Sequence, residues 1–236
     1  MLNLKQPDAF RRKVAGLALI GATLTLLASE ILGPHGASNN AELLDQVAGD
    51  KTGFVVSTLL MLVSTILFIP AVMGVLHLVR DRAPVIGHIA GAIGILGALG
   101  HMAYVCYALF VAELADGASR SQMVSVLDDL DHGLAIVVVP LIMSFAIAVL
   151  LMGIALHRAR VAPRWVMLAT IAAVVIELGA PTGTLAAALI KQACLAIAFC
   201  AVGVTVLRMT NDEWRSGHPD APPQGAPRPA ELAATA

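Results

Sequence analysis

The stretch GFVVSTLLMLVSTILFIPAVMGVLHLV, residues 53–79, contains no Asp, Glu, Lys or Arg. At 1.5 Å rise per residue, about 20 residues of helix cross a ~30 Å hydrocarbon core, so this segment spans a bilayer without carrying a formal charge into lipid. Inside lipid the backbone must satisfy its own hydrogen bonds, and the stretch lacks the two-residue alternation of a barrel strand. It is therefore expected to be a transmembrane helix.

Further windows of the same kind lie on either side. Val14 to Gly33 precedes it, closed by Gly33-Pro34, and Pro84 to Ala112, Gly133 to Leu156, Arg164 to Ala180 and Thr184 to Leu207 follow, with Pro181-Thr182-Gly183 turning the fifth into the sixth. The expected fold is an all-α integral membrane bundle of six transmembrane helices. Composition agrees: 58% hydrophobic and 13% charged residues, with mean hydropathy +0.83, exclude a water-soluble domain of ordinary make-up. The basic run Arg11-Arg12-Lys13 before the first window resembles a signal peptide, but no small-x-small cleavage site follows, and it reads as a retained span.

Orientation follows from the basic residues. A cytoplasmic N-terminus puts Arg11, Arg12, Lys13, Arg80, Arg82, Arg158, Arg160, Arg164, Arg208 and Arg215 inside and leaves Lys51 and Arg120 outside. Both termini are then cytoplasmic, and Trp165 and Trp214 fall at the inner interface. Three parts result: a cytoplasmic segment 1–13, a membrane domain 14–208, and a disordered Pro/Ala-rich cytoplasmic tail 209–236. Two outer connectors, Ala41 to Val47 capped by Asn40, and Ser121 to Leu130, are expected as short amphipathic surface helices. Gly91, Gly94, Gly97 and Gly100 form a small-residue face for helix packing. Cys106, Cys194 and Cys200 lie in apolar windows and read as buried thiols, with neither disulfide nor metal chemistry expected.

Ionisable groups inside hydrocarbon are costly, and the few present share one half of the bilayer. Glu30 ends helix 1, His101 and Glu113 lie on helix 3, Glu177 on helix 5 and Lys191 on helix 6. Glu177 and Lys191 stand at similar depths on consecutive antiparallel helices, which predicts an ion pair, either inert or tuning a site. His101, Tyr104 and Tyr107 share a drifting helical stripe that can line a pocket or satisfy itself on backbone carbonyls. Asp131 and His132 open helix 4, with Asp131 as its N-cap and His132 placed to face His101. His77, His88 and His157 collect at the inner boundary with the arginines, where lipid headgroups lie. They are too shallow there for buried haem ligands, and no haem or other cofactor is expected. No HExxH, nucleophile elbow or phosphate loop occurs.

The opening Arg12-Lys13-Val14-Ala15-Gly16-Leu17, followed by a helix ending in an acid and a long second apolar span, resembles a family of small uncharacterised six-helix membrane proteins from bacteria, over about residues 11–207. That resemblance implies the bacterial cytoplasmic membrane and no established chemistry. A second layout resemblance, in length, helicity and acids among apolar residues, is to the small integral-membrane terpene cyclases. It implies acid-initiated cyclisation of an isoprenoid-type substrate by a lyase or isomerase, with Glu177 as first acid, Glu30 or Glu113 as partner and His101, Tyr104, Tyr107, Asp131, His132 and Lys191 around the substrate. Six helices instead of seven, and only 4% aromatic residues, count against it. The expected partners are a lipophilic small molecule and the bilayer, with no nucleic acid. The alternative is a proton-linked small-molecule transporter or a ligand-binding membrane regulator without catalysis.

Overall fold

The computed structural model describes residues 7–117, 119–179 and 184–217, apart from the His132 side chain. All regular structure among them is helical: α1 Pro7–Leu32, α2 Asn40–Gly49, α3 Lys51–Val79, α4 Pro84–Leu114, α5 Arg120–Arg158, α6 Arg164–Gly179, α7 Leu185–Arg208 and α8 Asn211–Ser216. Five of these, α1, α3, α4, the 133–158 part of α5, and α7, are long and apolar enough to cross a membrane. The fifth expected span, α6, has 16 described residues, and the expected Pro181-Thr182-Gly183 turn lies outside the described residues.

The long helices close into a ring. α1 packs on α3 and α7, α4 on α3 and α5, and α6 on α5 and α7. Large apolar side chains face outward around that ring, including Leu17, Ile66, Leu99, Ile136, Leu168 and Ile197. Ile136, 78% exposed on a helix of this composition, fits a lipid environment. The chain is a multi-pass helical membrane protein.

Because lipid supplies no hydrophobic force between helices, close backbone approach and polar bonds hold the ring together. At the α1/α7 crossing a Cβ on Gly203 would stand 2.8 Å from the Gly16 carbonyl. On α4, the expected glycine face meets α5: a Cβ on Gly97 or Gly100 would stand 2.7 Å from the backbone nitrogen of Phe145 or Ile142. Between α1 and α3 the hydroxyls of Ser29 and Ser57 each donate to the other's carbonyl at 2.8 Å, and Ser64 donates to the Ala22 carbonyl at 2.7 Å.

One end of the ring carries α8. Arg12 donates to the carbonyls of Leu207 and Met209, Arg215 pairs with Asp8 at 2.6 Å, and Arg82 donates to the Ala159 carbonyl at 3.2 Å. The start of α1 and the ends of α3, α5 and α7 therefore meet there. Trp214, expected at the inner interface, is buried against the protein itself: it is 2% exposed, stacked on His77 at 4.2 Å, whose Nε2–H donates to the Trp214 carbonyl. His77 thus serves α8 rather than a lipid headgroup. Disorder was expected from residue 209, yet 211–216 form a helix, because the aromatic ring of Trp214 finds a buried seat. The rest of that tail, 218–236, lies outside the described residues.

The α8 N-terminus is closed by a capping box: Glu213 N–H donates to the Thr210 hydroxyl, and Thr210 N–H donates to the Glu213 carboxylate. The Thr210 backbone N–H, then its hydroxyl, holds the Glu213 carboxyl below its ordinary 4.5. A depressed carboxyl stabilises the folded form above its unfolded value, and that contribution disappears as pH falls through the lower folded value. In a Trp165→Phe background, Trp214 emission is expected to stay blue-shifted at neutral pH and to move red in acid, below the ordinary 4.5 of Glu213. The transition should weaken in Glu213→Gln, and a spectrum unchanged down to about pH 3 would contradict the assignment.

At the opposite end α2 lies across the ring. Leu44 and Val47, both essentially inaccessible, pack with Phe54, Val111 and Leu127. The cap of α2 is Asn39, not Asn40: its Oδ1 accepts from Glu42 N–H at 2.9 Å. The segment Ser121 to Leu130 is likewise not a separate surface helix. It continues without a break into the span as the first turns of α5, a single helix of 39 residues, so Asp131 and His132 lie inside a helix and open none. The cysteines are not buried either; Cys106 is exposed on the lipid face, and Cys194 and Cys200 are half-buried.

Candidate functional site

Beneath α2 the ring encloses a hollow of about 660 Å³. α1 delivers Glu30, the connector after it His35, Ser38 and Asn39, α4 Tyr104, α5 Asp128 and Asp131, α6 Glu177, and α7 Ala188 and Lys191. Its floor is the predicted ion pair, with Lys191 Nζ 2.6 Å from Glu177 Oε2 and the two side chains 20% and 27% exposed. Such a pair joins α6 to α7 at the depth where the two helices were expected to carry it.

A narrower cavity of about 60 Å³ continues below the pair, lined by His101, Phe145, Gln192 and the same Glu177 and Lys191. It has room for a few waters. His101 donates Nδ1–H to the Gly97 carbonyl at 2.9 Å, and its ring lies on Phe145 at 4.6 Å. The carbonyl fixes the tautomer, so Nε2 carries the lone pair. His101 is thus both satisfied on its own helix and a wall of the cavity. An apolar pocket of about 30 Å³ among Leu19, Phe68, Met152 and Phe199 lies further in, and Val79, Leu156, Val166 and Val206, with no accessible surface, fill the α8 end. The hollow opens at one end only.

The rim is organised by Asn40. Freed from the cap by Asn39, its amide donates to Asp128 Oδ1 and Asp131 Oδ2, both at 2.8 Å. Tyr107 donates to the other oxygen of Asp131 at 2.9 Å. Asp131, expected to cap a helix, instead ties α2 and α4 to α5. Tyr104 stands 6.2 Å from Tyr107 ring to ring and faces the hollow, whereas Tyr107 does not line it.

Glu113 is outside this constellation. Its side chain is 79% exposed and pairs with Lys51 at 3.3 Å, in a connector cluster with Asp116. It cannot partner Glu177. His132, expected to face His101, has a side chain outside the described residues. Asn40, Ser38, Asp128 and Gln192 are site residues that sequence reasoning missed. Gln192, an uncharged polar residue beside Lys191 in an apolar window and only 6% exposed, gave a usable signal; Asn40 gave none, because a rim contact to α5 is invisible along the chain.

The hollow has room for a small molecule over the ion pair, and Glu177, Lys191 and His101 share the lining of the smaller cavity beneath it. Comparison with the curated proteins returns no match, and none of the solved structures matches either, so the resemblance to terpene cyclases has no support from them. One family model does match, described as Domain of unknown function (DUF4386), over residues 14–209. The span agrees with the 11–207 of the bacterial membrane-protein likeness, and the chain belongs to the DUF4386 family.

Proposed function

We propose that the chain is a six-span protein of the bacterial cytoplasmic membrane, with the α8 end cytoplasmic, that binds a lipophilic small molecule in its outward-opening hollow. The hollow floored by the Glu177–Lys191 pair carries this reading. Six crossings are supported by the position of α6. It starts after the end of α5, which meets α3 at the α8 end, and by Glu177 it has reached Lys191, two turns into α7. Orientation is supported by Arg12, Arg80, Arg82, Arg208 and Arg215 at the α8 end.

Binding without covalent chemistry fits the geometry better than cyclisation. A cyclase would need a carboxylic acid free to donate a proton, whereas Glu177 is engaged by Lys191, and Glu113 lies away from the hollow. Glu30 is the remaining acid of the expected three that lines it, with no such partner among the described residues. A proton-linked carrier is the second reading, favoured by the cavity that His101 shares with Glu177 and Lys191. A carrier would need a second arrangement, open at the α8 end where Val79, Leu156, Val166 and Val206 are packed.

The test is solvent extraction of the purified full-length chain followed by mass spectrometry, comparing wild type with Ala188→Trp, which fills the hollow. One lipophilic compound near equimolar with wild type and depleted from the folded variant is the expected result. Identical extracts would refute the reading.

A further inference from the structure

Gln192 is a buried amide without a hydrogen-bond partner among the described residues. It stands about two turns into α7, is 6% exposed, and lines the cavity of about 60 Å³ below the Glu177–Lys191 pair. An amide buried in this way costs free energy until something enters to pair with it. His101 lines the same cavity from α4 and also has an unused atom. Its Nδ1–H is committed to the Gly97 carbonyl at 2.9 Å, so Nε2 is an acceptor with no donor among the described residues. Leu26, Phe145, Val149 and Leu195 give the cavity apolar walls between these groups.

Resting on the proposed binding function, we propose that the lipophilic ligand is an alcohol, whose hydroxyl sits in this lower cavity between Gln192 and His101. The group must donate a hydrogen bond, because His101 Nε2 can only accept; ethers, esters and ketones are excluded. It must also be neutral. Glu177 and Lys191, 2.6 Å apart, already balance each other, so an ammonium would stand beside Lys191 and a carboxylate beside Glu177. A hydroxyl donates to Nε2 and accepts from the Gln192 amide through one oxygen, and it can replace a water there while keeping both bonds. The volume of about 60 Å³ admits a hydroxymethyl group and excludes a sugar or phosphate head. The rest of the molecule lies above the pair in the hollow, against Leu43, Ile176, Ala187 and Ala188.

The experiment titrates 1-decanol, 1-methoxydecane and decanoate onto the purified full-length chain in phosphatidylcholine nanodiscs, read by calorimetry and thermal shift. Decanol is expected to bind about tenfold tighter than the ether, the difference that one buried hydrogen bond makes, with decanoate no tighter than the ether. In Gln192→Met, decanol should fall toward the ether's affinity while the ligand-free melting temperature holds, since no bond to a described residue is lost. His101→Phe reads the same loss from α4 should Gln192→Met fail to fold. Ala188→Trp should abolish binding of both. Equal affinities for decanol and the ether in wild type would overturn the hydroxyl assignment and leave the hollow standing. A preference for decanol that survives both cavity variants would mean that the lower cavity holds water alone, and would overturn the assignment too. Undiminished decanol binding to Ala188→Trp would put the ligand outside the hollow, and the binding function would fall with it. Binding by none of the three probes would overturn the assignment, with the hollow decided by the extraction test.

Discussion

Replacing Gly100 by leucine is expected to leave little folded protein. A Cβ at this position would stand 2.6 Å from the Leu141 Cβ and 2.7 Å from the Leu141 carbonyl carbon and the Ile142 nitrogen, so the obstacle is largely the α5 backbone. A rotamer change cannot relieve it; the helices must separate. Overpacking usually costs about 1–3 kcal/mol, and a collision with backbone belongs at or above the upper end, about 3 kcal/mol. The consequence is larger in lipid, where helix association rests on close packing and not on the expulsion of water. Size-exclusion profiles and thermal melts in detergent would show aggregation or a large loss of melting temperature. Gly133→Leu is the matched control, since its added Cβ meets nothing within 4 Å. Equal stability of the two variants would mean that α4 and α5 do not cross at Gly100.

The second large effect is expected at Lys191→Met. It leaves Glu177 without its 2.6 Å partner, above the cavity that His101 lines. Removing one member of a fully buried pair costs about 3–5 kcal/mol; the 20% and 27% exposure of these side chains to the hollow brings the expectation down to about 2–3 kcal/mol. Glu177→Gln added to Lys191→Met removes the stranded charge and should recover most of the loss. The double-mutant cycle then isolates the coupling between the two residues. An additive cycle would mean that the pair does not form in the membrane. Recovered stability with unrecovered ligand retention would assign the pair to the site and not to the joint between α6 and α7.

The sequence alone determined the membrane class, the approximate positions of the apolar windows and the pairing of Glu177 with Lys191. These depend on composition, on 1.5 Å rise per residue and on the cost of charge in lipid, all local quantities. The glycine face of α4 was legible for the same reason, since a small residue every third position marks a close approach whatever the neighbour is.

Only the tertiary structure decided which acids share a space. Glu113 and Glu30 look alike along the chain, each at the end of an apolar helix, yet Lys51 draws Glu113 to the outside while Glu30 lines the hollow. Asn39 and Asn40 are indistinguishable as caps by residue type; the one whose backbone is extended takes the cap, and the other is left to hold Asp128 and Asp131. Trp214 follows a stretch that composition reads as a tail, and becomes ordered because His77 and the ends of α1, α3 and α7 form a seat for it. Partners of this kind come from helices distant in sequence, and their identity depends on how the ring closes. Propensity and periodicity carry no information about that closure, because each is a property of one segment and a shared cavity is a property of six.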